Sequence, residues 1–131
     1  MSRLLALDTN AYRALDDGNQ VLAARLEAAS SIGLPVIVMG EISHAIFYGS
    51  KSQQNSERLE RFLISPRVEV LHITAETPRI FGEIATELRR AGKPIQQDDM
   101  WIAALCKQYG YTLATADVGF RHIVGLDVIS F

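Results

Sequence analysis

The sequence has little cysteine, no excess of charge of either sign and no long apolar run, and each shortage excludes a class of protein. A single cysteine, Cys106, among 131 residues rules out an internal disulfide and favours a reducing compartment. The apolar stretch between Arg3 and Asp8 is too short for a signal peptide or a membrane span. We therefore expect a cytoplasmic protein that does not contact a membrane.

The charge balance limits the partners without excluding nucleic acid. With 13 Lys and Arg against 15 Asp and Glu, the formal net charge is −2, which argues against tight, non-specific binding to nucleic acid. If four carboxylates were committed to a metal site, the remaining charge would be +2. The apolar content of 48% suits a globular chain, and the length predicts a single domain over residues 1–131.

Short apolar runs rich in β-branched residues alternate with helical segments along the chain. The predicted strands are residues 3–7, 35–39, 68–73, 111–115 and, at an edge, 127–131. The predicted helices are residues 10–16, 20–31, 41–48, 57–64, 74–90 (with Thr74 as cap), 99–109 and 118–123. Continuous apolar strands separated by helices predict an α/β fold, a parallel sheet with helices on both faces.

The segment QQDDMWIAALC, residues 96–106, places two aspartates in front of a run that has almost no polar face. A helix of this composition belongs in a core, where an unpaired charge is unfavourable. Asp98 and Asp99 are therefore either helix caps, which accept a bond from a free backbone N–H, or members of a site. Taken alone, this segment leaves both interpretations open.

Acidic residues also follow the predicted strands. Asp8 follows the first, Glu41 the second and Asp117 the fourth. Each of them alone is explained as a cap or as a first-turn acid favoured by the helix dipole. However, ligands of open parallel sheets bind beyond the carboxyl ends of the strands. Three such acids, with a fourth at the start of a buried helix, predict a shared site.

A cluster of carboxylates without nearby histidine or cysteine ligands selects a hard cation, Mg²⁺ or Mn²⁺. Such ions activate water and stabilise charge on phosphoryl oxygens. The predicted chemistry is therefore metal-assisted hydrolysis of a phosphodiester bond.

Five segments spread over nearly the whole chain carry a resemblance: LLALDTN, VMGEISHAIFYG, QDDMWIAAL, LATADVGF and VGLDVISF. In this order they resemble the PIN-domain ribonucleases, and most closely the VapC-type toxins of prokaryotic toxin–antitoxin pairs. The resemblance implies a three-layer sandwich around a five-stranded parallel sheet in the order 3-2-1-4-5. It also implies an endoribonuclease that depends on Mg²⁺ or Mn²⁺, cuts RNA, forms a homodimer and is held inactive by a VapB-like antitoxin.

The motifs of the family assign roles to individual positions. The acids that would bind metal and catalyse are Asp8, Glu41, Asp99 and Asp117. The polar residues that would support them are Thr9, Asn10, Asp98 and Thr115. Asp98 is then the cap or a supporting acid, and Asp99 the ligand. Many relatives have another acid near position 119, where this chain has Gly119, so the number of metal ions stays open.

Three alternatives differ at identifiable residues. A receiver domain needs its acidic pair after the first strand and a lysine after the last strand but one; here the pair is 98–99, and Lys107 lies within a predicted helix. A haloacid-dehalogenase-like phosphatase needs an aspartate where Asn10 stands. The third alternative, a catalytically inactive PIN-like scaffold or RNA-binding module, stays open, although all four acids are present.

Residues outside the acidic motifs predict further contacts. Two closely spaced helices carry large apolar residues that we expect to form the antitoxin groove, in part or whole: Ile46, Phe47, Tyr48, Leu59, Phe62 and Leu63. Arg89, Arg90 and Lys93 are explained equally well as RNA phosphate contacts and as cations at a helix end. His44 is expected to be a surface or packing residue.

Overall fold

The structure is a computed structural model that describes residues 3–131; Met1 and Ser2, which the predicted domain includes, lie outside the described residues. Five strands form one sheet in the order β3-β2-β1-β4-β5. The strands are β1 (Leu4–Leu7), β2 (Ser31–Pro35), β3 (Val68–Leu71), β4 (Thr112–Ala114) and β5 (Val128–Ile129). All neighbouring pairs are parallel, which confirms the predicted α/β fold and strand order.

Six α-helices within the described residues connect and cover the strands. They are α1 (Thr9–Asp16), α2 (Gln20–Glu27), α3 (Val36–Tyr48), α4 (Ser52–Leu63), α5 (Thr77–Arg90) and α6 (Gln97–Tyr109). A 3₁₀ helix, Val118–His122, lies between β4 and β5. Within residues 3–131, every helix is too short or too polar to cross a membrane.

The predicted second strand, residues 35–39, is wrong. The strand β2 ends at Pro35, and α3 begins at the next residue. Proline has no N–H with which to continue the ladder of sheet hydrogen bonds, so it suits the end of the strand. The strand β2 already begins at Ser31, so α2 ends at Glu27 instead of running to residue 31 as predicted.

The β-branched start of α3 is helical because of how the helix packs. Val38, Ile42 and Ile46, spaced four residues apart, are all buried in the core, and this spacing places them on one face of a helix. The preference of valine and isoleucine for strands is small, and burial of three such side chains outweighs it. The helix therefore starts five residues before Glu41, which moves that acid away from the strand end.

The predicted cap of α5 is also wrong. The helix starts at Thr77, with Glu76 in the N-cap position and Pro78 in the first turn, where proline is favoured. Thr74 precedes the helix and accepts a hydrogen bond from the Glu76 N–H at 3.4 Å. The fully buried Thr77 donates instead to Gln108 Oε1 at 2.5 Å, which ties α5 to α6.

The apolar run of α6 lies in the core, as its composition predicted. The five residues from Ile102 to Cys106 are all buried, and the helix packs against α5 and the sheet. The helix ends at Gly110, whose φ of 76° is left-handed and suits glycine. Because the middle of α6 is buried, the two aspartates in its first turn are attached to a rigid element.

A close approach between β2 and the start of β4 requires a glycine. A Cβ atom built on Gly33 would stand 2.9 Å from the ring of Tyr111 and 3.0 Å from Leu71 Cδ1. The ring cannot easily move away, because its hydroxyl shares a 2.8 Å hydrogen bond with Ser31 Oγ. The packing of Tyr111 across the sheet therefore depends on the missing side chain.

We expect Gly33→Ala to lower the free energy of unfolding by about 1–3 kcal/mol, the usual effect of overpacking a core. The measurement is urea unfolding followed by circular dichroism. The matched control is Gly40→Ala in α3, where an added Cβ meets no atom within 4 Å; it should raise the free energy of unfolding by roughly 0.5–1 kcal/mol. Equal stability of the two variants would contradict the packing argument.

Candidate active site

A cavity of about 800 Å³ opens at the carboxyl ends of β1 and β4. These strands are neighbours in the centre of the sheet, where the strand order reverses, and this is where ligands bind in folds of this type. The structure brings all four predicted acids, and Asp98, to this cavity. Its acidic lining is Asp8, Glu41, Asp98, Asp99 and Asp117.

Asp8 is held on both carboxylate oxygens. Its Oδ1 accepts a 2.8 Å hydrogen bond from the Ala11 N–H and so caps α1. Its Oδ2 accepts a 2.5 Å hydrogen bond from the hydroxyl of Thr115. Burial raises the pKa of Asp8 despite these two bonds, which act in the opposite direction. The carboxylate is therefore fixed in position and short of compensating positive charge.

Asp117 caps the 3₁₀ helix and also lines the cavity. Its Oδ1 accepts a 2.8 Å hydrogen bond from the Gly119 N–H at the start of the 3₁₀ helix. Its own N–H donates to Thr115 Oγ1 at 3.0 Å. The single hydroxyl of Thr115 thus links the acid after β1 to the acid after β4.

Glu41 reaches the cavity from a helix and not from the end of a strand. It lies in the second turn of α3, since the helix starts at Val36. Thr9, the first residue of α1, donates a 2.5 Å hydrogen bond to Glu41 Oε1. The sequence analysis placed Glu41 after the second strand, which is wrong, but the residue lines the cavity with the other acids.

Neither Asp98 nor Asp99 is the N-cap of α6. The N-cap position belongs to Gln96, whose side chain makes no capping bond, and both acids lie in the first turn. The expectation that Asp98 caps the helix is therefore wrong, because the helix starts earlier than predicted. Asp98 is exposed and Asp99 is half-buried.

The acids are close enough to disfavour each other's charge. Burial, followed by the charges of Asp117, Glu41, Asp8 and Asp98, raises the pKa of Asp99 to about 6. Each neighbouring carboxylate adds repulsion, and among residues 3–131 no cation lowers this pKa. The cavity therefore concentrates negative charge that a bound cation would compensate.

The donor set fits a hard divalent cation. The cavity offers carboxylates, the hydroxyl of Thr9 and the amide of Asn10, all of which supply oxygen. Within residues 3–131, no three His, Cys, Asp or Glu side chains are placed so that they could hold a metal ion together. Repulsion between uncompensated carboxylates opposes such a closed arrangement.

Gly119 has a steric reason to lack a side chain. A Cβ atom at this position would stand 3.1 Å from Asp117 Oδ1 and 3.2 Å from Ile95 Cγ2. A fifth acid here would therefore press against the carboxylate of Asp117. In this chain the backbone N–H of residue 119 holds that carboxylate, and no additional charge enters the cavity.

Two basic side chains in the cavity wall were not assigned to the site from the sequence. His44 is exposed, as expected of a surface residue, yet it lines the cavity, and Arg13 lines it from α1. Their positions one helical turn after Glu41 and Asn10 were the available signal. The cations considered as RNA contacts, Arg89, Arg90 and Lys93, are not in the cavity wall.

Together, the parallel sheet with reversed strand order and the oxygen-rich acidic cavity define an α/β protein with a candidate cation site at the carboxyl edge of its sheet. Residues 5–126 match the PIN domain family, and the chain therefore belongs to that family. The match includes the strands β1 to β4 and every residue of the acidic cavity wall, and it ends just before β5.

Among curated proteins, the chain is similar to ribonuclease VapC2 of Rickettsia felis, with 30% identity over 98 residues, 74% of this chain and 72% of that protein. Among solved structures, it is similar to VapBC2 of Rickettsia felis bound to a promoter DNA fragment, with a TM-score of 0.88, 26% identity and 98% of each chain covered. VapBC-1 of nontypeable Haemophilus influenzae shares the fold, with a TM-score of 0.85, 23% identity and 97% of each chain covered.

We expect the free energy of unfolding of the metal-free protein to fall as the pH rises from about 4 to about 6. The pKa of Asp99 is about 6 in the folded chain against 3.8 ordinarily, so the unfolded chain loses its proton first and deprotonation favours unfolding. Urea unfolding in EDTA across this pH range measures the effect. Asp99→Asn should flatten the dependence and raise stability at pH 7.

Asp98→Asn is the matched control for this experiment. Asp98 contributes least among the carboxylates that raise the pKa of Asp99, so this variant should keep most of the wild-type slope. A wild-type slope in Asp99→Asn would show that Asp99 is not the group responsible.

Proposed function

We propose that the chain is a metal-dependent endoribonuclease that hydrolyses RNA phosphodiester bonds and serves as the toxin of a VapBC-type pair. One nuclease domain, residues 1–131, carries this activity. The observation that carries the proposal is the meeting of Asp8, Glu41, Asp99 and Asp117 in one cavity at the switch point of a PIN fold. Similarity to ribonuclease VapC2 supplies the substrate class, RNA.

Four carboxylates hold Mg²⁺ or Mn²⁺ in this proposal: Asp8, Glu41, Asp99 and Asp117. When bound, the ion supplies a Lewis acid that lowers the pKa of water and stabilises charge on phosphoryl oxygens. The protein supplies the fixed positions of the ligands. The hydroxyls of Thr115 and Thr9 restrain Asp8 and Glu41, respectively, and the buried helix α6 restrains Asp99.

The remaining polar residues of the cavity have supporting roles. Asn10 is exposed at the cavity wall, where its amide can hydrogen-bond the RNA or the shell of the ion. Asp98 adds negative charge at the rim without being held by a hydrogen bond of its own among residues 3–131. The first turn of α6 also presents the positive end of its helix dipole to the cavity, which favours both carboxylates and phosphate.

Asp8→Asn and Asp99→Asn should each abolish cleavage of RNA while the fold is kept. Asparagine retains the shape and, at position 8, an oxygen that can accept the capping bond from the Ala11 N–H. Cleavage of end-labelled cellular RNA is measured with Mg²⁺, with Mn²⁺ and with EDTA, and EDTA should also abolish it. Wild-type rates in the double variant would contradict the assignment of the site.

Asp98→Asn is the control within the same segment, and it should retain much of the activity. Equal losses in Asp98→Asn and Asp99→Asn would mean that both carboxylates bind metal. RNA binding by the wild-type chain with no cleavage under either metal would instead favour the inactive PIN-like scaffold or RNA-binding module.

The proposal includes a VapB-like antitoxin that docks beside the active site, and a homodimer of this chain as the resemblance to VapC toxins implies. The antitoxin would place a basic side chain among the carboxylates. Structures of VapBC complexes among the similar proteins support this partner. Two of the residues expected in the groove, Ile46 and Leu59, are instead buried in the core.

The exposed part of the helical pair is a better docking surface. Phe47 and Tyr48 at the end of α3 are 81% and 87% exposed, and Ile64 after α4 is 78% exposed. Phe62 is partly buried and packs edge-to-face on Tyr12, with ring centroids 5.4 Å apart. Large apolar side chains this exposed usually mark an interaction site.

Phe47→Ser should therefore weaken co-purification with the antitoxin encoded beside this chain, because an exposed aromatic anchor is lost without a change in the core. The control is Val21→Ser, which removes an exposed apolar side chain from α2. Phe62 is unsuitable because its loss would disturb packing. Undiminished capture by a folded Phe47→Ser variant would place the antitoxin elsewhere.

A further inference from the structure

Arg13 is the only arginine or lysine in the wall of the acidic cavity among residues 3–131. It lies on α1, one helical turn after Thr9 and Asn10, which line the same cavity, and residues at this spacing share a helix face. Its side chain is exposed to solvent. A cation therefore stands at the rim of a cavity that otherwise carries five carboxylates.

Arg13 lines two adjacent concave surfaces. Arg13 and Ala45 belong both to the acidic cavity and to a smaller groove between α1 and α3, which also includes Ile42 and Asn55. The Thr9–Glu41 hydrogen bond joins these two helices just inside the rim. A chain entering the cavity from this groove would pass Arg13 before it meets the five carboxylates of the acidic cavity. The acid in the groove itself, Asp16, is paired with Arg58.

The charge of Arg13 is not used to hold the acids. The ion pairs within residues 3–131 are Arg58–Asp16, Arg79–Glu76 and Arg79–Glu83, and Arg13 takes part in none of them. The donors that hold Asp8 are the hydroxyl of Thr115 and the Ala11 N–H, and the donor that holds Glu41 is the hydroxyl of Thr9.

We propose that Arg13 binds a backbone phosphate of the RNA next to the phosphate that is cleaved; this inference rests on the proposed nuclease function. A polyanion that approaches five carboxylates is repelled, and a guanidinium at the rim supplies a local attraction with a planar, two-pronged donor that matches phosphate oxygens. Contacts of this kind set the position of a nucleic-acid chain and carry no sequence preference. Arg13 is thus a substrate-binding residue outside the metal-ligand set.

The test measures RNA binding and cleavage separately. A fluorescein-labelled, twelve-nucleotide, single-stranded RNA of mixed sequence is titrated into Asp99→Asn protein with Mg²⁺, at 50 to 200 mM KCl. Adding Arg13→Ala should weaken binding about tenfold and reduce the slope of log K against log salt by about 0.7, the value for one phosphate of a single strand. Adding Arg13→Lys should retain most of the slope because the charge is kept.

Arg61→Ala, an exposed arginine of α4 outside the wall of the acidic cavity, is the matched control and should leave the slope unchanged. With Asp99 intact, Arg13→Ala should raise KM for RNA more than it lowers kcat. Equal binding and equal slopes in the Arg13→Ala and Arg61→Ala proteins would overturn the proposal, as would a loss confined to kcat. If the wild-type chain cleaves no RNA but Arg13→Ala still lowers the slope, the nuclease function fails and the phosphate contact stands.

Discussion

The hydroxyl group of Thr115 is the contact on which the candidate site depends. It donates to Asp8 Oδ2 and accepts from the Asp117 N–H, so it joins the two acids that follow the central strands. The register of the sheet makes this possible, because Leu7 pairs with Ala114 and the next residues, Asp8 and Thr115, stand side by side. A shift of β4 by one residue would turn Thr115 to the other face of the sheet.

The site works against the stability of the protein that holds it. Four carboxylates raise the pKa of a fifth, Asp99, which means that the folded chain disfavours the charged state of its own site. The elements under these acids are correspondingly well buried. The central strands carry Leu5, Ala6 and Leu7 on one side of the site and Leu113 and Ala114 on the other, all 2% exposed or less. Rigid packing beneath a repulsive cluster is the usual arrangement of a functional site.

The order of apolar runs predicted the class of fold, and the resemblance to the PIN-domain ribonucleases implied the strand order. The acids that line the cavity were predicted because they follow predicted strands or begin a buried helix. Prediction from the sequence failed where tertiary packing decided the local structure. The run after Pro35 has the composition of a strand, and only burial against the rest of the core makes it a helix. Glu41 therefore lines the cavity with the other acids, but from a helix and not from the end of a strand. The helix start at Gln97 removes Asp98 from the cap position.

Arg13 was missed for a different reason. The spacing from Asn10 to Arg13 indicated only a shared helix face. The position of Arg13 relative to Glu41 depends on the packing of α1 against α3, which the Thr9–Glu41 bond shows and which the sequence does not encode. The helical turn that carries Arg13 reads as an ordinary polar surface in isolation, since an exposed arginine is common.

The sequence left open whether each acid is a helix cap or a member of a site. At two positions the two roles are compatible. Asp8 caps α1 and Asp117 caps the 3₁₀ helix, and both line the acidic cavity. A carboxylate has two oxygens: in Asp117 one accepts the capping N–H, which leaves the other for a cation. Capping by these acids therefore supplies part of the rigidity that a ligand set needs. Where the cap is a different residue, as Gln96 is for α6, the rigidity of the acid comes from the buried helix instead.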